Sequence, residues 1–435
     1  MRLRRIILPG VALLAVLGIA FFMQHDDGSH ASVASFAPPD QSPPVWPTHQ
    51  ENPQPQASTP LPATVSDSGP DAQLARIFAE IEANRLGNAL QLTENLIQQH
   101  PNYRLAYLIK GDLLLARTQP IRTMGAAAGA PSERVDDLRA EAIARLRAYR
   151  DRPQEKFVPR YLLQMRPDQR YAVVVDSARS RLYLYQNDVA NGGRPRFVAD
   201  YYITQGKLGA DKLSEGDKKT PIGVYHVTAD LSRQKLPDLY GNGAFPINYP
   251  NEWDRRQGRS GSGIWLHGTP SDTFARPPRA SDGCVVLTNQ DLDAIRNNLQ
   301  VGLTPVIISP QIEWLSLDDW TRERDELNRT IDSWRTDWAS RDVERYLSHY
   351  SRRFNANGQD FAQFAAQKRQ VNNGKEWIKV DLANLSVFRN PGKEDILVVT
   401  FDQDYRSNNL NNRMKKRQYW IHEDGGWKII YEGAA

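Results

Sequence analysis

Between Tyr171 and Ser309 the sequence breaks into seven short runs: YAVVVD, RLYLYQ, FVADYYI, GVYHV, GIWLH, GCVVL and TPVIIS. Each is rich in β-branched and aromatic residues and is bounded by Gly, Pro, Asn or Asp, the pattern of strands closed by turns. The turn 177–180 joins the first two as a hairpin. Seven strands within one domain length predict a closed or sandwiched sheet rather than a chain of βαβ units.

That sheet fills only part of 435 residues, so the chain is multidomain. On its N-terminal side, Leu74, Ile77, Phe78 and Ile81 fall on one helical face. A second helix through Ile97, Pro101 and a third apolar helix to Ala116 follow. A Gly/Ala loop around Met124–Ala130 then leads to a charged helix near Glu133–Tyr149. This spacing is similar to a tetratricopeptide repeat over about one and a half units, where stacking needs roughly three. A small helical layer packed on its neighbour explains it equally well. Beyond Trp320 an amphipathic helix turns Ile331, Trp334, Trp338 and Tyr346 inward. Strand-like runs WIKVDLANLSVF, DILVVTFDQDY, RQYWIH and GWKIIYEG come next, with Asp424–Gly425 as a tight hairpin turn. Helices followed by a curved antiparallel sheet predict an α+β, cone-like domain. The expected domains are a helical, repeat-like segment at 71–160, a mainly-β domain at 168–311 and the α+β domain at 318–435.

The first 70 residues behave differently. Arg2, Arg4 and Arg5 precede Ile6–Met23, 18 residues of apolar, Gly and Pro character. That length is at the short end of the roughly 17–25 residues that span hydrocarbon. A cleaved signal peptide has an apolar region of about 7–15 residues, so the run favours a retained anchor at 1–23. Basic residues stay cytoplasmic, which puts the remainder outside the cytoplasm. Residues 24–70 hold ten of the 28 prolines, and no Lys or Arg occurs from Ile6 to Ala75. Such a segment reads as an extended tether. Net charge is +4, from 55 basic and 51 acidic side chains, with no basic stripe of the kind nucleic-acid binding needs.

The single cysteine, Cys284, sits just after Ser281-Asp282-Gly283 at the start of a strand-like run. In an oxidising compartment it has no partner within its own chain. A thiol nucleophile needs a base and donors for the oxyanion it creates. The base candidate is His267, which closes GIWLH and precedes Gly268 by one residue. Taken singly, a buried inert thiol and a satisfied histidine are the ordinary readings.

Together with their surroundings they carry more. The segment IWLHGTPSDTFARPPRASDGCVVL resembles the catalytic signature of the L,D-transpeptidase (YkuD-type) family: His-Gly, a loop, then Ser-x-Gly-Cys. TPIGVY at 220–225 and the hairpin VVVDSARSRLYLYQ match two further segments of that family, in order. The resemblance implies Cys284 as nucleophile and His267 as general base, with the Gly268 carbonyl fixing the imidazole tautomer. It implies oxyanion or loop support from Ser281 and Gly283, with the backbone N–H groups of Gly283 and Cys284 as the oxyanion-hole candidates. It departs from the family at Asp282, where many members have His, and at Val286, where many have Arg. Arg276 and Arg279 are the candidates to replace that arginine as substrate-binding groups.

The implied substrate is the peptide stem of peptidoglycan, with D-Ala released and a thioester formed on the third residue. Water would then give a carboxypeptidase; an amine would give a cross-link or attach a protein. An inactive wall-binding protein is the remaining alternative. No metal or cofactor is implied, and no Cys/His cluster has ligand spacing. If His267 pairs with the thiol, the Cys284 pKa should fall below about 8.5. The segment WRTDWASRDVERYLSHYSRRF and the strands after it resemble nuclear-transport-factor-two-like domains, which act as scaffold or binding cup. His349, His422 and Asp404 lie there without an evident acid–base partner. A β domain followed by such a domain is similar to the subset containing a cell-shape-determining L,D-carboxypeptidase. Further expectations are a homodimer, a protein partner for the helical or C-terminal domain, and the inner membrane as partner of the N-terminal anchor.

Overall fold

All seven expected strands form, and they form in two sheets that face each other across one core. The computed structural model describes residues 69–127, 129 and 131–435. The expected anchor at 1–23, and the tether apart from Gly69 and Pro70, lie outside the described residues. Among those described, no helix is long and apolar enough to cross a membrane.

The larger sheet runs Arg194–Tyr202, Arg181–Asp188, Tyr171–Asp176, Pro305–Ser309, Gly223–His226. Its centre is a parallel pair, with Val306 beside Val173, and the remaining pairings are antiparallel. The smaller sheet runs Val285–Val286, Trp265–His267, Gly243–Pro246, Leu231–Ser232. Val173, Val175, Leu182 and Leu184 from the first meet Phe245, Leu266 and Val285 from the second. The central strand YAVVVD is buried on both faces, which is why its sequence is an unbroken apolar run rather than an alternating one.

Its second face covers another core. Val174, Tyr183, Tyr185 and Ile307 pack with Phe388, Val398, Tyr419, Ile421 and Ile430 of the C-terminal sheet. That sheet runs Leu162–Gln164, Ile378–Asn390, Ile396–Ser407, Leu410–Glu423, Gly426–Ala434. Its first strand comes from ahead of the β domain in sequence, so residues 157–164 stitch the two regions together; Phe157–Pro159 also pairs with Trp314–Ser316. Trp253 stacks on Tyr419 at 5.4 Å, and Arg417 meets both oxygens of Glu252 at 2.9 Å. On the far side of the sheet, the helix Leu317–Ala339 starts where Ser316 Oγ accepts from the Asp319 N–H. It buries Ile331 and Trp334 against Phe401 and Trp420.

Helices α1 (Pro70–Glu82), α2 (Leu86–Gln99), α3 (Arg104–Leu115) and α4 (Ser132–Arg150) make the N-terminal layer. Leu74, Ile77, Leu96, Leu105 and Ile109 form its core. Helix α4 is charged on its inward side. Arg145, 2% exposed, reaches Asp71 at 2.6 Å and Glu141 at 2.8 Å, while Arg181 of the β domain takes the other Asp71 oxygen at 2.7 Å and also pairs with Asp200. Burial works to raise the Asp71 pKa, but Arg181 and Arg145 outweigh it and hold the carboxyl below its usual range. Its contribution is therefore complete above the ordinary carboxylate pKa and disappears only as pH drops through the lowered value. Asp71→Asn should cost about 3 kcal/mol in urea unfolding at neutral pH, because two guanidiniums lose the charge between them. A loss of only a few tenths would show that the bridge is energetically idle.

Candidate functional site

Register brings the two candidate reacting groups together. Trp265–His267 and Val285–Val286 are parallel neighbours, with His267 opposite Val286. Opposed residues share a face, and so do residues two apart on one strand. Cys284 thus lies on the His267 face, one diagonal step away, about 7–8 Å between Cα atoms in ordinary sheet geometry. Leu266 and Val285 point the other way, into the core between the sheets.

His267 is held as a neutral imidazole of defined tautomer. Its Nδ1 lies 2.7 Å from the Gly268 carbonyl. A carbonyl only accepts, so Nδ1 carries the proton and Nε2 keeps its lone pair. Burial lowers the His267 pKa to about 4, the Gly268 bond opposing and the Arg276 charge assisting. The Tyr240 ring packs edge-on at 5.1 Å. Gly268 is held in turn: its N–H reaches the Tyr240 carbonyl at 3.1 Å, and a side chain there would collide with Asn289. Asn289 joins the two segments, accepting from the Asn242 N–H at 2.9 Å and donating to the Thr269 carbonyl at 2.8 Å.

Cys284 differs from the expectation. Burial pushes its thiol up, the Trp265 N–H and the charges of Arg276 and Lys212 resisting without reversing it, while Asp282 adds to the rise. The resting S–H donates to the Gly263 carbonyl at 3.4 Å. No thiolate is stored beside the imidazole, and the anticipated lowering of the thiol pKa is corrected by desolvation.

The loop before the thiol explains Ser281 and Gly283. Ser281 Oγ donates to the Cys284 carbonyl at 2.6 Å and accepts from the Gly283 N–H at 3.2 Å. That N–H is occupied, so both residues shape the turn rather than face an oxyanion. Gly283 has φ +129°, and a Cβ there would stand 2.7 Å from the Lys219 carbonyl oxygen. Only glycine fits. Arg276 is half-buried beside the thiol, its charge acting on both Cys284 and His267. Arg279 is exposed on the strand Arg279–Ser281. Tyr240, Trp265, Lys212 and Asn289 had no mark in the sequence. Trp265 shares the His267 strand, whereas the other three come from separate loops and a helix start that only the folded register collects.

Two cavities lie elsewhere. One of about 570 Å³ opens between the β domain and the C-terminal sheet, lined by His226, Glu252 and Arg417 among others. One of about 220 Å³ is a cup in the C-terminal domain, lined by Trp338, Tyr405, Lys368, Lys375 and Lys416. Neither includes Cys284 or His267. In the C-terminal domain His349 does have an acid partner, Asp337 at 2.8 Å. The two sit at the ends of different helices, which hid the pairing in the sequence.

Comparison with known proteins gives the same division of the chain. A model of the L,D-transpeptidase catalytic domain matches residues 170–308, and one of the Cds6 C-terminal NTF2-like domain matches 326–433. The solved structure of Bdellovibrio bacteriovorus Bd1075 is similar with 31% identity and a TM-score of 0.57, over 64% of this chain and 98% of that one. The helical cell shape determining protein Pgp2 from Campylobacter jejuni is similar with 26% identity and a TM-score of 0.54, over 63% and 95%. YafK of Escherichia coli (strain K12), provisionally named an L,D-transpeptidase, is 36% identical over 109 residues, 25% of this chain and 39% of its own length.

Proposed function

Because the chain belongs to the family that joins an L,D-transpeptidase catalytic domain to a C-terminal NTF2-like domain, we propose that it is a cysteine acyltransferase acting on peptidoglycan stem peptides. The observation that carries this reading is the diagonal placement of Cys284 and His267 on one face of the parallel strand pair. The stem enters with the carbonyl of its third residue over the sulfur. The thiol leaves the Gly263 carbonyl and gives its proton to His267 Nε2 as sulfur attacks that carbonyl carbon. The tetrahedral oxyanion collapses, the C–N bond to D-Ala breaks, and the leaving nitrogen takes the proton back from His267. A thioester on Cys284 remains. Water then yields a trimmed tripeptide stem, or an amine yields a new amide. Arg276, a cationic group on the preceding loop whose charge acts on the thiol, binds the terminal carboxylate of the stem. Catalysis takes place in the cell envelope, with residues 1–23 and 24–70 as anchor and tether, and the C-terminal cup serves as a binding pocket.

The test is incubation of the chain with tetrapeptide stems, followed by mass spectrometry of protein and peptides, and digestion of isolated sacculi. Expected are a stem acyl adduct on Cys284, free D-Ala, and either tripeptide stems or 3–3 dimers, which separates trimming from transfer. Binding to sacculi without adduct or D-Ala, identical in Cys284→Ala, would replace this reading with that of an inactive wall-binding protein.

A further inference from the structure

The loop from Gly268 to Pro278 links the base to the strand that leads into the nucleophile. Its tip is tied to the β domain at one end, where the Ser271 N–H and Oγ both reach Asp238 Oδ2, at 3.1 and 3.0 Å, and to the helical layer at the other. Phe274 places its ring 4.4 Å from that of His100 and 4.5 Å from that of Tyr103, and with Ala275 it packs onto the core of the helical layer. The backbone is latched there as well: the Phe274 N–H reaches the Asn102 carbonyl at 3.4 Å, and Asn102 Nδ2 donates to the Ser271 carbonyl at 3.2 Å. Two residues further on, the Arg276 carbonyl accepts from Tyr202 Oη at 2.9 Å and Thr204 Oγ1 at 3.0 Å. The main chain is thus fixed on both sides of Arg276. Its guanidinium carries no hydrogen bond or ion pair among the described residues. Asp282 is the carboxylate whose charge acts on it, yet the two make no ion pair, so this half-buried guanidinium keeps its planar fork open to the two oxygens of a carboxylate from outside.

We infer that Phe274 is a positioning residue: seated between His100 and Tyr103, it holds the loop that presents the Arg276 guanidinium to the terminal carboxylate of the stem beside Cys284. The helical layer is then a structural part of the active site, although it supplies no reacting atom. This rests on the function proposed above. The loop contains Pro270, Pro277 and Pro278, which limits its conformations but does not by itself choose the one that brings residue 276 to the sulfur. The aromatic seat chooses it.

The experiment compares Phe274→Ala, Phe274→Leu, Asn102→Ala, Arg276→Ala and the Phe274→Ala/Arg276→Ala double variant in the full chain. Displacing a positioned charge by an ångström costs up to about 10²-fold in rate. Phe274→Ala and Arg276→Ala should each lower kcat/KM for a tetrapeptide stem by about 10- to 10²-fold, mainly through KM. The double variant should be no worse than Arg276→Ala alone, Phe274→Leu should recover most of the loss, and Asn102→Ala should show a smaller one. On a stem whose terminal carboxylate is amidated, the differences should vanish.

A second readout needs no turnover. Charged iodoacetate should alkylate Cys284 faster relative to neutral iodoacetamide in the parent than in Phe274→Ala or Arg276→Ala. Asp282 and Lys212 also act on that thiol, but neither is altered. Additive losses in the double variant, equal losses on the amidated stem, or an unchanged reagent ratio with only a lowered Tm would overturn the inference. If Phe274→Ala does not fold, Phe274→Leu and Asn102→Ala decide the matter by the same ratio. A parent that releases no D-Ala yet shows the reagent preference, with the variants losing it, would fail the functional reading and leave the positioning intact.

Discussion

His267→Ala should lower D-Ala release by about 10²–10⁴-fold, the usual contribution of a positioned general base, and Cys284→Ala should abolish it. The pH dependence separates two ways in which such a pair can work. A preformed thiolate–imidazolium pair needs a lowered thiol pKa and a raised histidine pKa. Here both move the other way: burial takes His267 down to about 4 and the Cys284 thiol up. At pH 7 the pair is therefore imidazole and thiol, and proton transfer belongs to the chemical step. Turnover should rise through about pH 4 as His267 loses its proton and stay level across neutrality. Iodoacetamide alkylation of the free protein should keep climbing about tenfold per pH unit beyond pH 8, since only thiolate reacts. Alkylation already level at pH 6 would show a stored thiolate and refute this account. The same depressed histidine affects stability. Between the unfolded value near 6.5 and the folded value of about 4 the unfolded chain binds the extra proton, so stability falls as pH drops through that window.

Ending the chain after Ser309 should leave the β domain insoluble or molten, even though every residue of the candidate site is retained. Val174, Tyr183, Tyr185 and Ile307 are all 0–1% exposed, and on this face their cover is the C-terminal sheet. A tyrosine buries roughly 150–250 Å², so the uncovered face would exceed the few hundred Å² that soluble monomers tolerate. Tyr161, Leu162 and Met165 from the strand ahead of the domain would lose their partners too. Expression with size-exclusion chromatography, and dye binding to exposed apolar surface, checks this. A monodisperse, fully active fragment would mean that the two domains merely touch. In the intact chain the corresponding expectation is one cooperative melt for both domains.

Much of this architecture could be read before any coordinates, and the reasons are local. Seven strands announced themselves because each is a short β-branched run between turn formers, and the helix bearing Trp334 because its apolar residues recur at helical spacing. The proposed nucleophile and base stood out in the sequence because Cys284 and His267 each sit in a short motif that resembles the family's catalytic signature. What escaped was long-range. Asn289 and Tyr240 reach the His267 strand from distant segments, and nothing in their own neighbourhoods marks them. The strand Leu162–Gln164 joins a sheet more than 200 residues away in sequence, a pairing that no local pattern encodes. The thiol pKa was misjudged for a related reason. A neighbouring base was counted, whereas the enclosure of the sulfur by the folded loops was not.

The core shared by the larger sheet and the C-terminal sheet has a consequence for how such a chain evolves. Two domains joined by a flexible connector can be traded like cassettes, each carrying its own interior. Here one layer of side chains serves as interior to both, and a strand from ahead of the β domain is woven into the sheet that follows it. Neither half can be exchanged for a foreign counterpart without redesigning that seam, so mutations on its two sides should become fixed as matched pairs. Descent would then keep the pairing together as a single heritable piece.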